Sequence, residues 1–354
     1  MFYSEAELLL KKCELCPRVC GVDRTKGEMG FCRGGVNAEI ALTMLHKWEE
    51  PCISGSDPSR GSGAIFFRHC SLGCVYCQNY AISRPGVERG TEKRSTSPGS
   101  SEAVCNAENS VSPKFAACTL FAERGTETRS GRSRIRDSVS AIADAMLRLE
   151  EKGAYNINLV TPTHYMPLIA VAARKARRNG LTVPIVYNTG GFERAEMIEK
   201  LDGTVQIFLT DFKYLTDEAA KRYSGTDRYV DNALAALDKM FEITGRGLEF
   251  GQDGMMKRGV IVRHLVLPGR SYAASKIMKK LYAKYGDNIV FSLMNQYTPL
   301  PDAIPALTRF PELLEPVRED EYARAVETLE SLSPEHAYIQ EGGTISESFI
   351  PEWD

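Results

Sequence analysis

The sequence predicts an α/β protein: a partial (β/α)6 TIM-like barrel carrying a small Cys-rich N-terminal lobe and a disordered insertion. Three observations lead there. From Ile135 onward, segments with 3.6-residue apolar spacing alternate with short apolar runs. Those runs suit strands covered on both faces, and strict alternation implies parallel strands with right-handed crossovers. A tight cysteine group, Cys70/Cys74/Cys77, follows directly on an earlier apolar run, GAIFFRH (63–69). A doubly wound open sheet has the same alternation and is the competing architecture.

Taken in order, residues 1–35 read as a short helix followed by a Cys- and Gly-rich knuckle. NAEIALTML (37–45) is compatible with a strand, and Trp48-Glu49-Glu50-Pro51 closes it; the paired acids Glu49 and Glu50 read as a solvated turn, with a reach to the mouth of a barrel site as the other reading. GAIFFRH (63–69) is a buried strand. Residues 87–133 are rich in Ser, Thr, Gly, Glu and Arg and have no sustained period. Within them Glu88–Ser95 recurs as Glu123–Ser130 with seven of eight positions identical, which marks a duplicated insertion. Such a segment buries too little apolar area to offset its ordering entropy, so a disordered surface loop is expected.

Ile135, Val139, Ile142, Ala143, Met146 and Leu149 form one helical face that ends at Gly153. NINLVT (156–161) is a strand, and 166–180 is a helix whose basic last turn suits its dipole. There follow a strand at 184–188, a helix near 193–201, a strand at 205–212 and helices near 216–223 and 230–243. A strand at 258–269, a helix at 273–285 and a strand at 288–297 complete the pattern. With GAIFF this makes six strands. The division is a lobe over 1–60 and a barrel over 61–354, interrupted by 87–133.

Composition narrows the function. The 354 residues carry 44 basic and 46 acidic side chains, a net −2 that gives no global attraction to nucleic acid or an anionic membrane. The basic run at 174–178 reads as a solvated helix end. No apolar stretch approaches the ~18 residues of a membrane span. The opening MFYSEAELLLKKC lacks the features of a secretory signal. A cytoplasmic monomer is therefore expected, in a compartment where clustered cysteines bind metal or do redox chemistry.

Seven of the ten cysteines fall in two groups. Cys70, Cys74 and Cys77, at spacings of four and three, converge from one loop on one face of a cubane. Three thiolates leave one iron without a protein ligand, and an open position is what chemistry needs. Gly73 gives the loop its turn. A zinc site completed by His69 is the alternative, but adjacency to Cys70 makes that turn awkward. Cys13-x2-Cys16-x3-Cys20-x11-Cys32 is a closed set of four soft ligands, suited to structural zinc or an auxiliary iron–sulfur cluster. Cys52, Cys105 and Cys118 have no assigned role.

The Cys-x3-Cys-x2-Cys loop after the first strand resembles that of the radical S-adenosylmethionine superfamily. GSGAIFF (61–67), INLVTPTHY (157–165), PIVYNTGGFE (184–193), LTDFKY (209–214), VRHLVLPG (262–269) and SLMNQYTP (292–299) are similar to its branch of pyruvate formate-lyase activating enzymes. So are CELCPRVCGVDR (13–24) and GFCRGG (30–35). The resemblance implies a [4Fe–4S] cluster on Cys70, Cys74 and Cys77, with S-adenosylmethionine on the open iron. Reduction, by a donor such as flavodoxin or ferredoxin, would release a 5′-deoxyadenosyl radical that abstracts hydrogen from a substrate. That substrate is a glycine of a partner glycyl radical enzyme, or else a different small molecule or polypeptide. A non-catalytic metal module and an electron carrier are the remaining classes.

The resemblance also assigns residues. Tyr76 stands where an aromatic side chain packs near the adenine. Asp211 and Lys213 stand where an Asp and a Lys hold the ribose or methionine portion, a mutual salt bridge being the plainer reading. Asn188 and Thr189 match a position for the cofactor or a cation, with Asn where Asp is common. Arg263 matches a contact to the cofactor carboxylate. His264, Gln296 and Tyr297 are candidates for the substrate pocket. The superfamily's Gly-Gly-Glu motif is replaced by Thr161-Pro162-Thr163-His164. Thr161, Thr163 and His164 are then the candidates for the cofactor's amino group, with helix capping the other reading of Thr163.

Overall fold

The computed structural model describes residues 1–85, 131–299 and 307–340. Its frame is a mostly parallel sheet. The strands are β1 (Ile40–His46), β2 (Gly61–Phe67), β3 (Ala154–Val160), β4 (Ile185–Thr189), β5 (Ile207–Asp211), β6 (Glu249–Phe250), β7 (Met256–Leu265), β8 (Val290–Met294) and β9 (Ala337–Ile339). They lie in the order β1-β2-β3-β4-β5-β7-β8-β9, with β6 paired to β7 alone. From β2 to β9 every neighbouring pair along this path is parallel, whereas β1 joins the β2 edge antiparallel. The strand order never reverses. A doubly wound sheet needs such a reversal, so that alternative is excluded. The sheet is open, running from β1 at one edge to β9 at the other.

Side-chain alternation sorts the two faces. Leu159, Tyr187, Phe208, Val262 and Phe291 point to one face and share a core with the helices. Val139 and Met146 come to it from α4 (Gly131–Glu151), Ile169 and Ala172 from α5 (Met166–Arg178), Leu237 from α8 (Tyr229–Ile243) and Ile277 from α9 (Ser271–Tyr285). Between these lie α6 (Ala195–Glu199) and α7 (Asp217–Ser224), α10 (Glu319–Leu332) packs on α9, and the short α3 (Tyr80–Ser83) follows the Cys70/Cys74/Cys77 loop. The other face is apolar below and polar above. Val186, Leu209, Ile261 and Val290 pack with Cys52 and Ile53 of α2 (Pro51–Ser54). One residue further along the same face, Asp211, Arg263 and Ser292 stand side by side on β5, β7 and β8. Cys52 is thus a core thiol.

The N-terminal segment is built into this core rather than hung from it. Ala6 and Leu10 of α1 (Tyr3–Lys11), together with Cys13, belong to the cluster that holds α4 and α5. The expected insertion falls outside the described residues except at 131–133, which begin α4 four residues before Ile135 opens its apolar face. The predicted strands are all present. The short edge strand β9 and the α10 helix before it escaped the sequence reading: three half-buried residues give no periodicity to read.

Phe208 is fully buried, with Tyr187 5.9 Å away ring to ring, at the centre of the helix-facing layer. Phe208→Ala is predicted to lower stability by about 3–5 kcal/mol. Urea unfolding tests this; a midpoint equal to that of the parent chain would refute the placement.

Candidate active site

A cavity of about 690 Å³ opens where the parallel strands end. That is where α/β sheets of this kind place ligands, because the loops that vary lie there while the strands stay fixed. Cys70, Cys74, Tyr76 and Cys77 line it from the loop after β2. Thr161, Thr163, Asn188 and Thr189 line it from the ends of β3 and β4, and Asp211, Lys213, Arg263 and Gln296 from beyond. Twelve of the residues predicted from sequence therefore meet in one place.

The three cysteines are half-buried thiols. Ser224 donates to Cys74 Sγ at 3.2 Å, the Leu72 amide to Cys70 Sγ at 3.3 Å, and Ser83 Oγ lies 3.4 Å from Cys77 Sγ. Burial, then Cys74 and Cys70, pushes the Cys77 thiol up to about 11, so the three sulfurs sense one another. Gly73 is required: its φ is +73°, and a Cβ there would lie 2.2 Å from Arg84 Nη2. The loop is also clamped from outside. Arg18 donates to the carbonyls of Ser71 (3.2 Å), Leu72 (3.0 Å), Ser224 (2.9 Å) and Gly225 (2.7 Å). His69 turns away, to Glu39 Oε1 at 2.9 Å, so it does not complete a site with Cys70.

Arg263 is the hub of the polar wall. It donates to Asp211 Oδ1 at 2.9 Å, Asn188 Oδ1 at 2.7 Å and Glu49 Oε2 at 3.2 Å. Lys213 Nζ donates to Asp211 Oδ2 at 2.5 Å, so the mutual salt bridge is formed. Burial opposes the Asp211 charge, but Lys213 and Arg263 outweigh it and hold the carboxyl below its ordinary range. For Lys213 burial likewise loses to Asp211, and the ammonium is held above its ordinary range. Glu49 also accepts from Asn158 Nδ2 at 3.0 Å. The two acids of the Trp48–Pro51 turn are thus enclosed rather than solvated. Glu50 is 7% exposed, Glu49 is enclosed with Arg263, and burial raises both carboxyls.

Three predicted pocket residues are not at the cavity. His264 alternates to the helix side of β7, where its Nδ1 lies 2.6 Å from the Phe212 carbonyl and burial lowers it to about 4. Tyr297 is buried behind the wall, donating to the Leu313 carbonyl and meeting Tyr76 edge-on. His164 faces the N-terminal knuckle: its Nε2 lies 2.8 Å from the Arg68 carbonyl, and a Cβ on Gly34 would come 2.7 Å from its ring. It does not stand in for an acid of the cavity. Burial, then Arg24, keeps it neutral.

No family model matches the chain. A protein of Methanocaldococcus jannaschii, described only as uncharacterized, is similar. It is 25% identical over 335 residues, covering 94% of this chain and 78% of that protein.

Cys13, Cys16 and Cys32 are buried and Cys20 half-buried. Burial first, then Cys32, Cys13 and Cys20, raises the Cys16 thiol, so the four sulfurs share one neighbourhood. Amides of Phe31 and Gly34 donate to Cys20 and Cys32, both at 3.4 Å, and Arg24 Nη2 donates to Cys32 at 3.4 Å. Among the described residues, no group of three or more His, Cys, Asp or Glu side chains is arranged to hold a metal ion.

The sequence reading missed Glu193, which braces the cavity from behind. It is 1% exposed, and its Oε1 accepts from Thr163 Oγ1 at 2.5 Å and from Thr189 Oγ1. Thr163 is therefore bound to Glu193 rather than capping a helix. Burial raises Glu193 to about 7 despite these donors and Tyr187. Because the folded pKa exceeds the unfolded one, the stability Glu193 contributes is full below about pH 4.5 and is lost as pH rises through about 7. Glu193→Gln is predicted to flatten that fall, by an amount on the order of 3 kcal/mol across the window. Paired urea titrations at pH 5 and pH 8 measure it. Parallel pH dependence in both chains would show that Glu193 does not titrate in this range.

Proposed function

We propose that this chain is a radical S-adenosylmethionine enzyme, with a [4Fe–4S] cluster on Cys70, Cys74 and Cys77. The observation that supports it most is one juxtaposition. Three thiols of a single loop line a cavity at the strand ends, beside a wall of fixed charges. The donor set fits in kind: all three are soft thiols carried by one loop at the cavity. A cubane spreads its thiolates over separate irons, so the loop need not bring them as close as a single ion would.

The finer architecture we read as a partial (β/α) barrel, with the open sheet curved around the cavity. When bound, the cluster supplies the electron that cleaves the sulfonium C–S bond of S-adenosylmethionine. The chain's own part is binding and shielding. Asp211 accepts ribose or ammonium donors while Lys213 and Arg263 keep it ionised. Arg263 keeps two N–H donors beyond those given to Asp211, Asn188 and Glu49, and offers these to the cofactor carboxylate. The Thr161 and Thr163 segment supplies backbone and hydroxyl acceptors for the amino group, and Tyr76 lies against the adenine. The half-buried cysteine loop admits a reductant such as flavodoxin or ferredoxin. We read the substrate as a glycine of a partner glycyl radical enzyme, or another small molecule or polypeptide.

Anaerobic reconstitution with iron and sulfide, then reduction with S-adenosylmethionine, is predicted to yield 5′-deoxyadenosine. Cys74→Ala is predicted to abolish it. A fully loaded, reduced sample that leaves the cofactor intact would sink this reading.

We further propose that Cys13, Cys16, Cys20 and Cys32 hold a closed, structural metal site, zinc or an iron–sulfur cluster. The donors from Phe31, Gly34 and Arg24 stabilise thiolate charge, which a set of buried thiols does not need. Elemental analysis of a Cys70/Cys74/Cys77 triple alanine variant isolates this site. Retained stoichiometric zinc, or iron with sulfide, is expected; a metal-free, folded variant would rule it out.

A further inference from the structure

Beyond the cysteines, the cavity continues to a second acidic corner. The charged side chains lining the cavity are the carboxylates of Glu49, Glu50 and Asp211 against the cations Lys213 and Arg263, with His46 beside them. Both cations are committed to Asp211, and Arg263 also to Glu49. Glu50 makes no ion pair with any described residue. It is 93% buried by its 7% exposure, and its Oε2 has no hydrogen-bond partner among the described residues. The Ser292 hydroxyl is its nearest support, and Cys52 and Tyr338 close the corner behind it. His46 does not serve as its cation: its own Nδ1 is unpartnered, lies 3.9 Å from Glu49 Oε1, and burial holds the ring neutral.

A buried carboxyl oxygen left without a partner at a cavity wall is unfavourable as a charge, and a positive group placed beside it would both pair that oxygen and favour the ionised form. We propose that Glu50 is the anchor of a substrate subsite that takes a cationic group, an alkylammonium or guanidinium, in the corner formed by β1, α2 and β8. This rests on reading the cavity as a catalytic one and names the class of substrate it would admit. The group would sit between Glu50, Glu49 and Ser292 and give Glu50 a cation in direct contact, where Arg263 acts on it only from beyond ion-pair distance.

Trp48 lines the same cavity and reports on it; the other tryptophan, Trp353, is replaced in a Trp353→Phe background. In that background, n-butylammonium is predicted to change Trp48 fluorescence saturably, and 1-pentanol, its neutral counterpart, to bind more weakly. Glu50→Gln is predicted to weaken butylammonium about ten-fold and leave pentanol unchanged. Should that variant not fold, Glu50→Asp is predicted to keep the preference for the cation. Equal affinity for the amine and the alcohol in the parent chain overturns the proposal, as does a Glu50→Gln chain that binds both as before. Saturating S-adenosylhomocysteine is predicted to leave butylammonium binding in place; competitive displacement would give the corner to the cofactor and overturn the substrate assignment. The titration needs no iron, so it stands or falls apart from the cofactor-cleavage assay.

Discussion

One buried guanidinium holds the cavity wall together. Arg263 reaches Asp211 on the neighbouring strand, Asn188 one strand further, and Glu49 on the connection from β1 to α2. A charge so placed is tolerable only when its partners are fixed, since desolvation alone would cost more than any single ion pair returns. The partners are fixed by register. Asp211 and Arg263 are directly paired across β5 and β7, and Asn188 lies on the same face of β4. A slip of one residue would turn all three toward the helices. The polar wall therefore depends on the apolar layer behind it, where Tyr187, Phe208 and Val262 lock the same register from the other side.

Much of this was legible in the sequence, for identifiable reasons. The parallel sheet followed from alternating periods, and the cysteine loop from spacing. Asp211, Lys213 and Arg263 stood at strand ends, where a two-residue period puts neighbours on one face. His264 is a candidate only through its place beside Arg263; by the same period it points the opposite way, into a structural position. For Glu49 and Glu50 the sequence favours the solvated turn over the site mouth, because acids before a proline resemble a surface turn. Only the tertiary structure shows that Pro51 starts a helix laid across the inner face, carrying both carboxyls inside. Glu193 gave no signal at all, since a carboxyl buried behind two threonines has no pattern in the chain.

Glu193 shows how the wall is kept in shape without adding charge to the cavity. Its Oε1 joins Thr163, after β3, to Thr189, at the end of β4. Two strand ends that carry cavity residues are thereby held at one spacing by one oxygen. An apolar residue could fill that volume but could not fix the orientation of two hydroxyls. Thr161, between them, has φ +59°, a conformation a threonine keeps only where its surroundings impose it. Its amide donates to the Asn188 carbonyl at 2.9 Å, which carries the constraint to the strand that presents Asn188 to Arg263.

The two cysteine groups are linked by the same economy of parts. Phe31 lies between the guanidinium groups of Arg18 and Arg84, at 3.6 and 4.3 Å from its ring centroid. Its amide donates to Cys20 and its carbonyl accepts from Arg84 Nη1 at 2.9 Å. Arg18, two residues after Cys16, clamps the carbonyls between Cys70 and Cys74. Arg84 follows the turn that carries Ser83 to Cys77. Stacked guanidinium groups on one ring are rigid only if each is also tied by hydrogen bonds, and here both are. The knuckle that gathers the N-terminal thiols therefore sets the backbone of the loop that presents the other three. Disorder in the first group would reach the second through Arg18, which makes the N-terminal cysteines part of the site's architecture.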